Sequence, residues 1–236
     1  MKLRMQITKD KDIRFISHLE YVRTIGRAIR RAKLPAAYSE GFNPHLKFSL
    51  ASALGVGVVS YTEFVEIELF EEPMEVEKAA LALDAALPRG IRVLAADAVD
   101  THHAALMSQA AGASYRVTLP YSKDVSAAVA EFNAAPELLF KKSAPKTKAK
   151  FKEIDVKFYI PQLTAEQTEK ETIFSFDCKI TPTGSMKAVD LLNALNEQYG
   201  LALPVEMADI ERLRLYRNNK NGKPIPMLNS DAVTLG

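Results

Sequence analysis

Two histidines, His18 and His45, are the side chains of this 236-residue sequence best placed to move protons near neutral pH. Cleavage of RNA by general acid–base chemistry needs one group to take the 2′-hydroxyl proton and another to protonate the leaving oxygen. Two imidazoles can fill both roles, with a lysine or arginine stabilising the phosphorane. A plainer reading stands beside this one. His18 falls in the first turn of a helical pattern, where the positive helix end favours a neutral, hydrogen-bonded ring. His45 closes a turn whose backbone groups it could satisfy. A two-histidine metal site would need Glu40 or Glu63 as third ligand, and no zinc spacing supports it. His102 and His103 read as solvated residues of a connecting segment.

A second chemistry is anion binding. At about 100° per residue, Arg23, Arg27, Arg30 and Arg31 share one face of the helical pattern, opposite Val22, Ile25, Ala28, Ile29 and Ala32. Forked guanidinium groups suit phosphate oxygens because they bind two at once. The alternative is a solvated face paired with acidic strand residues. The loop Tyr38-Ser39-Glu40-Gly41-Phe42-Asn43-Pro44-His45 follows. Tyr38, Phe42, Asn43 and His45 could stack on a base and read its edge, or form a structural turn. Lys146, Lys148, Lys150 and Lys152 occupy alternate positions and, if extended, face one side, where they could track a phosphate backbone. A solvated hairpin is the other reading.

Charge is distributed accordingly. The net charge of +2 combines +5 between Arg14 and Lys33 with +6 between Lys141 and Lys152, leaving −9 elsewhere. Much of that negative charge lies at Glu63, Glu66, Glu68, Glu71, Glu72, Glu75 and Glu77. Localised positive charge on a near-neutral chain suits an anionic partner.

The elements that must position these groups follow from periodicity. KLRMQIT alternates as a strand, and Ser17 with Glu20 forms a capping box before a helix running to Lys33. LKFSLAS and EFVEIELF read as strands, 75–87 as a helix and IRVLAADAV as a strand. The order βαββαβ predicts a ferredoxin-like domain over residues 1–100. After a linker or short helix at 101–112, YRVTLP, a helix at KDVSAAVAEFNAA, FKEIDVKFYI, IFSFDCKI, a helix at TPTGSMKAVDLLNALNEQYG and DIERLRLYR repeat the rhythm. The expected fold is therefore α+β, with two ferredoxin-like (βαββαβ) halves in tandem. The second half covers residues 113–217 and carries the lysine-rich hairpin, and a polar, loosely held tail spans 218–236.

Composition narrows the class. An apolar fraction of 47% and a charged fraction of 25% match a globular protein. No membrane-length apolar run and no signal-peptide pattern occur, which predicts a cytoplasmic protein. The single cysteine, Cys178, cannot form an intramolecular disulfide or hold an iron–sulfur cluster alone, and its apolar setting predicts an inert strand residue. No phosphate-cradling loop, dinucleotide fingerprint or nucleophile elbow is present, so no cofactor is expected.

The segment FISHLEYVRTIGRAIRRAKLPAAYSEGFNPHLKFSLASALGVGVVSYTEFVEIEL resembles the signature block of the bacterial radical-SAM-linked proteins. This family of unknown function occurs beside or fused to radical SAM proteins, often cobalamin-binding ones. The match is specific over residues 1–70 and continues more weakly to about residue 217. Matching positions are Ser17, His18, Arg27, Arg30, Arg31, Tyr38, Ser39, Gly41, Phe42, Asn43, Pro44, His45, Gly55 and Glu63. The resemblance implies a radical SAM partner, because this chain has no CxxxCxxC cluster of its own. With the basic face, it predicts a non-catalytic accessory protein that binds RNA (tRNA or rRNA) for a radical SAM RNA-modifying enzyme. The alternatives are a metal-independent endoribonuclease using His18 or His45, and a pure protein–protein adaptor.

Overall fold

A computed structural model of the chain describes residues 1–70, 74–100, 102, 104–143 and 150–235. The structure is mixed α+β and divides into two compact units, Met1–Ala111 with Arg214–Gly236, and Gly112–Leu213. The first unit contains β1 (Lys2–Lys9), α1 (His18–Arg31), β2 (Phe48–Leu50), β3 (Val58–Glu68), α2 (Val76–Ala86), β4 (Val93–Val99) and α3 (Leu106–Gln109). The second contains β5 (Gly112–Leu119), α4 (Ser126–Ala134), β6 (Leu139–Ser143), β7 (Phe151–Asp155), α5 (Val156–Tyr159), β8 (Leu163–Gln167), β9 (Thr172–Thr181), β10 (Gly184–Ser185) and α6 (Ala188–Tyr199). The division between units falls within β11 (Asp209–Asn218), after which β12 (Pro224–Pro226) and β13 (Val233–Thr234) belong to the first.

In the first unit the strands run in the order β4-β1-β3-β2. The alternation of β1 directs Leu3, Met5 and Ile7 to one face, where all three are fully buried. They meet Ile25, Ala28 and Ile29 of α1 and Ala79, Ala80 and Leu83 of α2 in a single core. Tyr21 joins them, its hydroxyl donating to the Thr8 carbonyl at 2.6 Å. Ser17 caps α1 by accepting from the Glu20 N–H at 3.2 Å. Gly26 lets α1 approach β2 closely, since a Cβ there would lie 3.3 Å from the Phe48 ring. Helix α1 begins and ends within two residues of the predicted limits, but the strand expected at LKFSLAS shrinks to three residues.

The opposite face of this sheet carries charged side chains and is covered. Glu66 on β3 stands beside Arg4 on β1, and Arg4 beside Asp97 on β4, giving a cross-strand row of charges. All three are buried. Helix α3 and the segment after Asn218 lie over them. Arg4 Nη1 donates to Gln109 Oε1 at 3.1 Å and to the Met227 carbonyl at 2.9 Å. Asn229 Nδ2 donates to Asp97 Oδ2 at 2.6 Å. The tail is therefore ordered, contrary to the sequence expectation. It buries Met227, pairs β12 with β11, and lays β13 along the edge of β4. Polar composition was misleading because strand pairing and hydrogen bonds to buried charges hold this segment together with two apolar anchors, Met227 and Leu235.

In the second unit the order is β11-β5-β9-β8, with β10 continuing on the β9 edge. β5 pairs with β9 along its whole length, Gly112↔Lys179 to Leu119↔Thr172. The strand beyond β9 is Leu163–Gln167, not the expected FKEIDVKFYI. That segment instead splits. Phe151–Asp155 pairs with Leu139–Ser143 in a separate hairpin, and Val156–Tyr159 forms one helical turn. Asp155 causes the break by capping the turn, its Oδ1 accepting from the Lys157 N–H at 3.0 Å. The Thr/Ser-rich stretch expected to open α6 is a hairpin turn between β9 and β10. The helix itself starts at Ala188 and ends at Gly200, whose φ of 64° gives the left-handed cap.

Candidate functional site

The arginine face of α1 is exposed. Arg23, Arg27, Arg30 and Arg31 all reach solvent, on the side of the helix away from Ile25 and Ile29. Their neighbours differ from the expected acidic strand residues. Glu63 and Glu66 are buried in the sheet. Glu20 of the same helix takes their place, accepting from Arg27 Nη2 at 2.6 Å and lying 3.6 Å from Arg23 Nη1. Arg31 Nη2 donates to the Ala86 carbonyl at 2.7 Å, which commits it to α2. Arg30 and Arg31 in the last turn also complement the negative helix end. Exposed ion pairs of this kind are worth about 0–1 kcal/mol, so a phosphate can replace Glu20 at small cost.

The Tyr38–His45 segment is a miniature hairpin at the sheet end nearest the last turn of α1. Tyr38 bridges Leu46, and the Ser39 N–H donates to the His45 carbonyl at 2.9 Å. The Ser39 hydroxyl accepts from the His45 N–H at 3.1 Å and lies 2.8 Å from His45 Nδ1. The hydroxyl donates to Nδ1 or accepts from it according to the ring's tautomer. Gly41, at φ 113°, turns the tip. Phe42 on that tip is fully exposed, and Tyr38, Asn43 and His45 are exposed beside it. The aromatic does not pack beneath the loop.

The two histidines are not brought together. Tyr21 contacts Thr8, so the first turn of α1, with half-buried His18, lies at the C-terminal end of β1. The His45 hairpin is tied to the other end, where the Ala37 N–H donates to the Glu68 carbonyl and Glu68 pairs with Lys2. Six residues of β1 separate Thr8 from Lys2, about 20 Å at roughly 3.3 Å per residue. A shared acid–base pair is out of reach of one phosphate. Among the described residues no group of three or more His, Cys, Asp or Glu is arranged to hold a metal ion.

Of the lysine row, Lys146 and Lys148 lie outside the described residues. Lys150 and Lys152 are exposed, but Lys150 has a φ of 58°, so regular alternation starts only after it. Lys142, opposite Lys152 in the hairpin, is held by Asp190 Oδ2 at 2.5 Å. Cys178 is buried, with Sγ directed at the Met186 carbonyl at 3.5 Å. Burial pushes its thiol from an ordinary 9.0 up to about 11. The folded chain therefore holds this proton more tightly than the unfolded chain. The resulting stabilisation is intact below pH 9 and is lost as pH rises to about 11. Native protein at pH 8 is expected to resist a thiol-specific disulfide reagent, with one equivalent of reaction appearing on denaturation. Rapid reaction of the native protein would contradict this burial.

The buried Glu66–Arg4–Asp97 row and Tyr21 were absent from the sequence reading. Arg4 and Glu66 sit on the polar phase of alternating strands, which ordinarily faces water. Only the strand register and the covering segment reveal them as partners. Among the described residues no helix is long and apolar enough to cross a membrane.

A family model described as "Uncharacterized protein conserved in bacteria (DUF2344)" matches residues 2–190. No curated protein matches the sequence. Among solved structures, a chain of a Cbf5-Nop10-Gar1 complex is similar at 12% identity and a TM-score of 0.47. The similarity covers 93% of this chain and 50% of that one, so this chain spans half its length. An unknown protein from Galdieria sulphuraria aligns at 14% identity and a TM-score of 0.25, over 92% of this chain and 98% of that one.

Proposed function

The chain belongs to the uncharacterized bacterial family DUF2344, and on that premise we propose that it is a non-catalytic RNA-binding accessory protein. The observation that carries this reading is the pairing of an exposed arginine face with an exposed aromatic hairpin in one unit. Arg23, Arg27 and Arg30 would hold phosphates, and Phe42 and Tyr38 would stack on unpaired bases while Asn43 and His45 contact their edges. Lys150 and Lys152 of the second unit would add phosphate contacts. We read the two units as ferredoxin-like repeats, the second interrupted by the β6–β7 hairpin, because each places its first strand between its third and last. The partner we propose, a radical SAM RNA-modifying enzyme, rests on the sequence resemblance alone.

Separation of His18 from His45 weighs against a paired-histidine ribonuclease. The adaptor reading keeps Phe42 as a protein contact instead. The experiment is binding of total small RNA from the source cell across a salt series. Binding that weakens steeply with salt, with a log–log slope equivalent to several released counterions, is the expected result. No binding at low salt would transfer the 38–45 hairpin to a protein partner.

A further inference from the structure

We propose that the hollow beside the β6–β7 hairpin is a pocket for an unpaired guanine, a site that rests on the RNA-binding reading above and extends it to a base identity. The hollow has a volume of about 310 Å³ and is lined by Lys152, Glu153, Ile154, Asp155, Phe158 and Tyr159. That volume, at the small end for ligand sites, suits a nucleobase better than a folded partner.

Its aromatic wall is rigid. Val156 and Ile160 are fully buried and pin the single turn of α5 at both ends. Asp155 Oδ1 fixes the turn by accepting from the backbone N–H groups of Lys157 at 3.0 Å and Leu138 at 3.2 Å. Phe158 is left 51% exposed on this turn, although nothing in the local core requires a large apolar side chain in solvent. The Tyr159 ring braces it edge-on at 5.0 Å, and the Lys179 ammonium stands 5.3 Å from its centroid. With the Lys179 ammonium over one face, the other face of this exposed ring is a stacking platform for a base that carries a phosphate.

The carboxylates supply the selectivity. Asp155 is occupied by backbone N–H groups, whereas Glu153 is exposed in the same hollow. An ionised carboxylate only accepts hydrogen bonds, through two oxygens. Guanine presents two adjacent donors, N1–H and N2–H, on its Watson–Crick edge and can satisfy both. Adenine and cytosine place an acceptor beside their single amine, and uracil flanks its one N–H with carbonyls, so each sets an acceptor against a carboxylate oxygen. Lys152 at the rim, and Lys141 opposite Glu153 in the hairpin register, bring positive charge for the flanking phosphates.

The test uses fluorescence anisotropy with the full chain and labelled single-stranded RNAs of about 12 nucleotides. One is oligouridine and the other carries two central guanines. The wild-type protein should bind the guanine-containing RNA about tenfold more tightly. Glu153→Gln should erase that preference and raise oligouridine affinity, because an amide that donates replaces a carboxylate that opposes the uracil carbonyls. Phe158→Ala should weaken both RNAs about tenfold, and Phe158→Trp should restore binding. Neutralising Arg23, Arg27 and Arg30 should lower affinity without changing the guanine preference. Equal wild-type affinity for both RNAs, or a preference that survives Glu153→Gln, overturns the guanine pocket and leaves RNA binding standing. No binding of either RNA at low salt overturns both.

Discussion

Arg4→Ala is expected to destabilise the protein by about 3–5 kcal/mol, a large share of the stability of a chain this size. Arg4 is 1% exposed and makes four hydrogen bonds. Two go to Glu66 Oε2, at 3.1 Å from Nε and 2.7 Å from Nη2. Among the described residues, removing the guanidinium leaves a carboxylate that is itself 5% exposed with Lys2, 3.3 Å from Oε1, to offset it. It also frees the Met227 carbonyl and so loosens the covering segment. Urea denaturation should show a lower midpoint for Arg4→Ala. Arg4→Met combined with Glu66→Leu should regain much of the loss, because that pair removes the Arg4–Glu66 ion pair as a unit and keeps the volume, with Asp97 still held by Asn229. A cost below about 1 kcal/mol for Arg4→Ala would mean that water reaches Glu66 and that the tail does not seal this face.

The second large effect concerns binding. Arg23→Gln, Arg27→Gln and Arg30→Gln together are expected to reduce the log–log salt slope for single-stranded RNA by about 2, and affinity at low salt by about 100-fold. Arg31 is left in place because its bond to the Ala86 carbonyl ties α1 to α2. Stability should change by about 1 kcal/mol, since the exposed Glu20 pairs, the long Arg27–Thr24 contact and Arg30's place at the helix end each contribute little. An unchanged slope in a folded triple variant would remove the helix from the interface and leave the hairpin residues to account for any binding.

Helix α1 was legible because every level of its sequence agrees. Ser17 marks the start, apolar residues recur at helical spacing, and the arginines fall on one side. The Tyr38–His45 segment was legible as a turn with an exposed aromatic option, but not as a hairpin, since the Ser39–His45 bond depends on a register no local pattern encodes. The lysine-rich region was legible as a hairpin, but FKEIDVKFYI after it was read as one extended run. Asp155 ends that run by capping a turn, a role a single aspartate in an otherwise strand-like stretch does not announce. The tail failed for the converse reason. The Met227 carbonyl and the Asn229 side chain reach Arg4 and Asp97, whose burial is decided more than a hundred residues earlier in the chain.

That reach has a consequence for how the protein is born. The bond from Arg4 to the Met227 carbonyl spans 223 positions, and a whole second unit, Gly112–Leu213, lies between. On the ribosome the inserted unit has all of its strands available, apart from the end of β11, while the first still waits for the residues that close its sheet. Until then the first unit carries an unpaired β4 edge and an uncovered row of charges, both open to wrong partners. Refolding should therefore show a faster phase from the inserted unit and a slower one from closure of the discontinuous unit, whose contacts lie so far apart in sequence. The slower phase sets the period during which a nascent chain depends on chaperones.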